Sequence, residues 1–312
     1  MKVDILSVAG MYGPSFERLE REFTVHNLWK ATDKEQLLAE AGPRVRGIQA
    51  SGSSSVGAAL IDRLPKLEII SCFGVGYDGI DVAAAKRRNV IVTNTPTVLN
   101  DCVADLAMGL LIAGARGIAT GDRFVRAGKW LSGNLPLQTK VSGKRLGIVG
   151  MGRIGRVIAR RAAGFDMQIA YHARRKAADV PFTYHEKLVD LARNSDFLML
   201  ILPGGKETFH VVNEQVLRAL GPKGILVNIA RGSVVDEAAL VKCLQEGVLG
   251  GAALDVFENE PKTPEALWKM DNVVLVPHLG SATHETRAAM GKLTVDNLAA
   301  HFSGQPVLTP VP

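Results

Sequence analysis

Several polar side chains stand where apolar runs stop, and together they could hold and protonate a carbonyl compound. Arg231 follows the run from Gly224 to Ala230, within Asn228-Ile229-Ala230-Arg231-Gly232-Ser233. A planar guanidinium grips a carboxylate through two hydrogen bonds and polarises a carbonyl beside it, and the small neighbours leave room for a ligand. His278 follows the run Val273 to Val276, in Pro277-His278-Leu279-Gly280. An imidazole at a strand end is an acid–base candidate, because its proton comes and goes near neutrality. By contrast His26, His185, His210, His284 and His301 read as structural. The stretch Asp255-Val256-Phe257-Glu258-Asn259-Glu260-Pro261 supplies two carboxylates, Glu258 and Glu260, either of which could orient His278 and favour its charged form. Spacing alone does not choose between them.

A second kind of chemistry is written in Arg145-Leu146-Gly147-Ile148-Val149-Gly150-Met151-Gly152-Arg153-Ile154-Gly155. A short apolar run ends in a G-x-G-x-x-G turn and a helix-forming segment, Arg153 to Ala163, follows at once, which is the context a dinucleotide fingerprint requires. Gly150 permits the sharp turn, Gly152 lets backbone approach a pyrophosphate, and Gly155 lets the helix pack against the strand. The helix N-terminus then faces the anion with free N–H groups and a favourable dipole. Asp255, at its own strand end, could accept a hydrogen bond from a nicotinamide carboxamide or could cap a loop. The second strand of such a fold usually ends in an acid that binds the ribose 2′-hydroxyl. Here it ends Ile169-Ala170-Tyr171-His172, followed by Ala173-Arg174-Arg175-Lys176. The acid is missing and three cations stand in its place, which suits a 2′-phosphate and points to NADP(H).

The elements that must position these groups alternate. Strands are expected at Val3 to Val8, Arg46 to Ala50, Leu67 to Phe73 and Val90 to Thr93. Helices are expected at Ser15 to Phe23, Asp33 to Ala41, Val56 to Leu64 and Asp81 to Arg88, with Asp33 and Asp81 as N-caps. Asn94-Thr95-Pro96 closes this segment. A helix from about Val98 to Ala115, apolar nearly all round, should be buried between domains or subunits. Further strands follow at Gln168 to His172, Phe197 to Leu202, Gly224 to Ala230, Ala252 to Val256 and Val273 to Val276. Between them lie helices at Lys187 to Arg193, Asn213 to Leu220 and Asp236 to Glu246. Continuous apolar runs such as Phe-Leu-Met-Leu-Ile-Leu are what parallel strands covered on both faces need. An amphipathic segment, His284 to Phe302, is expected to return to the first domain. The fold class is α/β, with two doubly wound parallel sheets: residues 1–97 with 284–312, and residues 98–283, with ligands in an interdomain cleft beyond the strand ends.

The 312 residues suffice for two cores. Asp4 breaks the apolar start, so no signal peptide is expected, and the apolar run Val103 to Ala115 is interrupted by Asp105. Neither a membrane nor a secreted location is indicated, and a cytoplasmic protein is expected. Cys72, Cys102 and Cys243 lack metal-ligand spacing and fit a reducing compartment, so no metal is expected. The net charge of +6 suits an anionic cofactor and substrate, and its dispersal excludes a nucleic-acid stripe.

On the fingerprint, Asn228–Gly232, Asp255–Pro261 and Pro277–Gly280, in this order, the chain resembles the D-2-hydroxyacid dehydrogenase family over essentially its whole length. The resemblance implies a Rossmann nucleotide-binding domain and a flavodoxin-like substrate domain. It selects Glu260, just before the proline, as the carboxylate behind His278, and gives Arg231 substrate binding and carbonyl polarisation. It makes Phe73-Gly74-Val75-Gly76-Tyr77-Asp78 a substrate loop whose Val75 and Gly76 amides bind the carboxylate. The implied cofactor contacts add Arg153, Ile154, Leu202, Pro203, Ile229 and Gly280 to Gly150, Gly152, Gly155, Arg174, Arg175, Lys176 and Asp255.

Within the family the chain looks most like NADPH-dependent glyoxylate/hydroxypyruvate reductases, including plant hydroxyphenylpyruvate reductases. Such proteins are usually homodimers joined through the nucleotide domain, with Val98 to Arg116 in the contact and Trp130 as the candidate side chain reaching the partner's site. Asp166 stands where the family often has glycine, a place where aspartate tolerates positive φ. No regulatory extension beyond Pro312, of the kind many phosphoglycerate dehydrogenases carry, is expected, which points away from phosphoglycerate. Glutamate at 260 points away from formate dehydrogenases, which use glutamine. A nicotinamide-sensing binding protein would need the fingerprint but no complete Arg–Glu–His set. Small polar residues from Gln49 to Ser55 are expected to line the substrate pocket, leaning toward glyoxylate or hydroxypyruvate while leaving space for an aromatic ring.

Overall fold

A computed structural model describes residues 2–312. The chain divides into two compact units, Met1–Leu99 with Ser281–Pro312, and Asn100–Gly280. The boundaries fall two or three residues from the positions expected from the sequence.

In the first unit the strands are β1 (Asp4–Ser7), β2 (Thr24–Asn27), β3 (Gly47–Ser51), β4 (Ile69–Phe73) and β5 (Ile91–Thr93). They form a parallel sheet in the order β2-β1-β3-β4-β5. β4 is buried at every position, as a run of Ile-Ile-Ser-Cys-Phe with covered faces demands. β2 is absent from the sequence reading. Its Thr-Val-His-Asn is short, polar and half-exposed at the sheet edge, so it carries no apolar signal. Asp33 and Asp81 accept the N–H groups of Gln36 and Ala84 at 2.9 and 2.8 Å, so the helices Lys34–Ala41 and Val82–Arg87 are capped as expected. The last helix, His284–Phe302, belongs to this unit, where Val295 and Leu298 join the core of Ile5, Leu19 and Ile69.

One expectation fails in this unit. Gln49 does not line a pocket: it is 0% exposed, and its amide bonds Ser7 at 2.7 Å and the Ala50 carbonyl at 3.1 Å. A buried amide must find partners, and these lie within the sheet. Ser54 is likewise buried and donates or accepts within its own turn, to Ser51.

The second unit holds β6 (Arg145–Val149), β7 (Gln168–His172), β8 (Thr183–Tyr184), β9 (Phe197–Leu200), β10 (Ile225–Asn228), β11 (Gly251–Leu254) and β12 (Val273–Leu275). Their order is β12-β11-β10-β9-β6-β7-β8, all parallel, so the winding reverses between β6 and β9. The apolar helix Asn100–Arg116 buries Val103, Ala107, Met108 and Leu111 against β10, β11, β12 and the helix Arg153–Ala163. Its own unit's sheet therefore covers much of the surface expected to meet another domain or subunit. The helix Ile118–Arg126 after it has no buried residue and begins at Gly117, with φ of 59°; the sequence reading missed it. Asp166 adopts φ of 55°, the conformation anticipated for a residue replacing glycine. Among the described residues no single helix is long and apolar enough to cross a membrane. The three cysteines form no disulfide among those residues.

Candidate active site

Register brings the acid–base candidates together. Asn228 of β10 lies beside Leu254 of β11, which lies beside Leu275 of β12. The loops that leave these three neighbouring strands carry Arg231, Asp255 with Glu260, and His278, all at the carboxyl edge of one sheet. Each loop is tied to the next by backbone: Asp255 N–H donates to the Asn228 carbonyl and His278 N–H to the Asp255 carbonyl, both at 2.9 Å.

Glu260 and His278 are paired. His278 Nδ1 lies 2.8 Å from Glu260 Oε2, while Glu260 Oε1 accepts the Phe257 N–H at 3.1 Å. A carboxylate only accepts, so Nδ1 carries the proton and Nε2 is the ring atom left for a substrate. Burial pushes the Glu260 carboxyl up. The His278 hydrogen bond, the Phe257 N–H and the charges of His278 and Arg231 outweigh it and hold the group below its ordinary value. Glu258, the other carboxylate that spacing allowed, turns away and meets His210 Nε2 at 3.0 Å. Two residues in a loop face opposite ways, and no periodicity in the sequence reports that.

Asp255 is 1% exposed, and its two oxygens accept the N–H groups of Leu279 and Gly280, the latter at 3.0 Å. Of the two roles open to it, loop capping is the one displayed here: it pins the turn that delivers His278, whose φ is 53°. Burial raises the Asp255 carboxyl above its ordinary value, with the N–H groups and the His278 charge opposing and Glu260 reinforcing. A methyl group on Gly280 would sit 3.2 Å from Asp255 Oδ2, so the small residue keeps this turn tight.

Arg231 is half-buried, in extended backbone, and its Nη1 donates to the Ala230 carbonyl at 2.8 Å. The turn that presents it is shaped by buried Asn228, which accepts the Ala230 N–H at 3.0 Å and donates to the Arg231 carbonyl at 3.1 Å. Asn228 has no role in the sequence reading, although an asparagine closing a strand is a turn-former by chemistry. Gly232 fixes the approach of the next loop, because a Cβ there would lie 1.9 Å from the Phe257 carbonyl carbon.

The dinucleotide elements occupy the other half of the same sheet edge. Gly150 has φ of 105° and a Cβ on it would meet the Ile201 carbonyl at 2.4 Å; one on Gly155 would meet the Gly150 carbonyl at 2.1 Å. A Cβ on Gly152 would meet nothing within 4 Å, which leaves space over the start of the helix Arg153–Ala163, with Arg153 and Ile154 in its first turn. A cavity of about 450 Å³ opens at the ends of β6, β7 and β9, lined by Gly150, His172, Arg174, Leu202, Pro203 and Glu207 among others. Its place at the winding reversal is where such folds take ligands, and its glycines and cations fit a phosphorylated dinucleotide. Arg174 pairs with Glu207 at 2.9 Å; Arg175 and Lys176 are exposed and do not line the cavity. Nothing in the sequence links Glu207 to a cation 33 positions earlier. Ile229 is buried, with its side chain 3.9 Å from a Cβ placed on Gly280. In the first unit, Val75 and Gly76 follow β4 in a loop where the Val75 carbonyl accepts from Asn94 Nδ2 at 2.8 Å.

Residues 108–280 match the family described as D-isomer specific 2-hydroxyacid dehydrogenase, NAD binding domain. The chain belongs to that family. It is 49% identical over 295 residues to hydroxyphenylpyruvate reductase of Plectranthus scutellarioides, covering 95% of this chain and 94% of that one. It is 48% identical over 309 residues to a glyoxylate/hydroxypyruvate reductase A of Arabidopsis thaliana, covering 99% of each. Among solved structures, the NADPH-dependent glyoxylate/hydroxypyruvate reductase of Sinorhizobium meliloti, in complex with NADP and malonate, superposes with a TM-score of 0.92 at 45% identity, covering 100% of this chain and 97% of that one. This D-2-hydroxyacid dehydrogenase is thus similar along its full described length to reductases of 2-oxo acids.

Proposed function

We propose that this dehydrogenase uses NADPH to reduce a small 2-oxo acid, glyoxylate or hydroxypyruvate, to the D-2-hydroxy acid. The observation that carries the reading is the His278–Glu260 pair, 2.8 Å apart, beside the charge of Arg231. Bound NADPH supplies the hydride. Arg231 grips the substrate carboxylate and polarises its carbonyl. Glu260 keeps its negative charge and favours the imidazolium of His278, which then gives the proton on Nε2 to the oxygen that becomes the alcohol. Asp255 keeps the His278 turn in place and can offer a remaining lone pair to the carboxamide. Gly150, Gly152, Arg153, Ile154, Gly155, Leu202, Pro203, Ile229 and Gly280 seat the dinucleotide.

The choice of NADPH is supported by His172 ending β7 where an acid would bind the 2′-hydroxyl, and by Arg174, Arg175 and Lys176 following it. A second substrate, hydroxyphenylpyruvate, is favoured by the 49% identity to a reductase of that name. The assembly is proposed as a homodimer through the nucleotide-binding unit, where Trp130 is 65% and Leu131 95% exposed. Cysteines without a disulfide fit a cytoplasmic setting. Initial rates of NADPH and NADH oxidation with glyoxylate, hydroxypyruvate, pyruvate and hydroxyphenylpyruvate test the reading. The highest kcat/KM should come from NADPH with glyoxylate or hydroxypyruvate, and a preference for NADH or for pyruvate would overturn it.

A further inference from the structure

His210, outside the candidate site, reaches both of the loops on which the proposed chemistry depends. It has φ of 50° and its ring is stacked on Phe209, centroids 3.8 Å apart. Its backbone N–H donates to the Ser233 carbonyl at 2.9 Å, two residues beyond Arg231. Its ring Nε2 lies 3.0 Å from Glu258 Oε1, two residues before Glu260. Since Glu258 accepts, Nε2 carries the proton, and the contact holds whether or not the ring is charged. The far side of the Glu258 loop is fastened too, by its N–H to Glu237 Oε2 at 3.2 Å. Burial and the neighbouring Glu258 charge both raise the Glu237 carboxyl. The segment that follows His210 continues the attachment, with Val212 N–H to the Val234 carbonyl at 3.0 Å and Asp236 N–H to the Val212 carbonyl at 3.1 Å.

We propose that His210 and Glu258 form a positioning pair that ties the Arg231 turn to the Glu260 loop, setting the substrate clamp and the proton donor at a fixed separation. The pair touches no reacting atom: it acts through the two loops. A surface ion pair between exposed side chains would contribute little, but this one is partly buried and joins the loop after β9 to the loop after β11, across the end of β10. The inference rests on the roles proposed for Arg231 and Glu260.

Three variants test it. His210→Asn keeps a residue that accepts positive φ but is too short to reach Glu258. His210→Gln restores an amide N–H near the imidazole Nε2, and Glu258→Gln weakens the acceptor. With NADPH and glyoxylate, His210→Asn should lower kcat/KM about ten-fold, with kcat reduced and the KM for the oxo acid raised, while the NADPH Kd from protein fluorescence stays within about two-fold. His210→Gln should recover to within about three-fold of the parent, and the His210→Asn/Glu258→Gln double variant should be no worse than His210→Asn alone. The pair is overturned if His210→Asn leaves kcat/KM within about two-fold, if NADPH binding weakens by the same factor as turnover, or if the two substitutions add. Arg231→Ala, run alongside, separates the two levels. A crippled Arg231→Ala beside an unaffected His210→Asn removes only the tie, and an unaffected Arg231→Ala removes the site reading itself.

Discussion

Beyond β10, β11 and β12 the polar side chains hold one another: Glu260 grips His278, Asp255 takes two backbone N–H groups, and Asn228 closes the Arg231 turn. Beyond β6 and β7, at the other half of the same sheet edge, the charged groups stand in solvent. Arg174 and Glu207 pair there with side chains 82% and 77% exposed, over an open cavity. The contrast separates two ways of making a ligand site. The first corner is set before anything binds, which is what stabilising a developing charge requires. The second is organised by backbone at its floor, in the glycines, and leaves its cations to be ordered by the anion that arrives.

The contrast ranks the expected effects of substitution. Arg231→Ala removes a charged group from the set corner and should cost on the order of 3 kcal/mol, roughly two decades in kcat/KM for the oxo acid. Unchanged turnover in that variant would place the carboxylate elsewhere.

Glu260→Gln should cost about ten-fold at neutral pH. The native Glu260 carboxyl lies below its ordinary value, so its charge and the stability it lends are fully present above the ordinary carboxylate pKa and are lost only as pH falls through the lowered one. The difference in unfolding free energy between parent and variant should therefore stay constant across neutral and alkaline pH and shrink in acid, and a difference that persisted unchanged in acid would contradict the pairing.

At the open corner Arg174→Ala should weaken NADPH by about five-fold, near 1 kcal/mol, and leave NADH unaffected, because an exposed cation is screened. Equal losses with both cofactors would show that Arg174 does not read the 2′-phosphate.

What is legible in the sequence follows the same division. Strand ends and glycine turns show in the sequence because apolar runs and G-x-G-x-x-G are local patterns, and they located Arg231, His278 and the cofactor floor. What a loop residue faces is not local. Glu258 and Glu260 look alike until the backbone turns one to His210 and the other to His278. Gln49 looked like a pocket residue because it is polar and precedes a serine run; its inward direction is fixed by Ser7 on the neighbouring strand, 42 positions away. β2 was missed because an edge strand need not be apolar, and Glu207 because its partner is brought to it only by the sheet.

Gly232 carries a consequence for anyone redesigning the enzyme. Its Cα lies against Phe257 and Glu258 with no space for even a methyl group, so any side chain at 232 would drive the two loops apart. Such a displacement would move Glu260 away from Arg231. Engineering for a bulkier acid by loosening this corner would trade rate for room at every step, so a directed library is better aimed at residues that share no backbone contact with position 232.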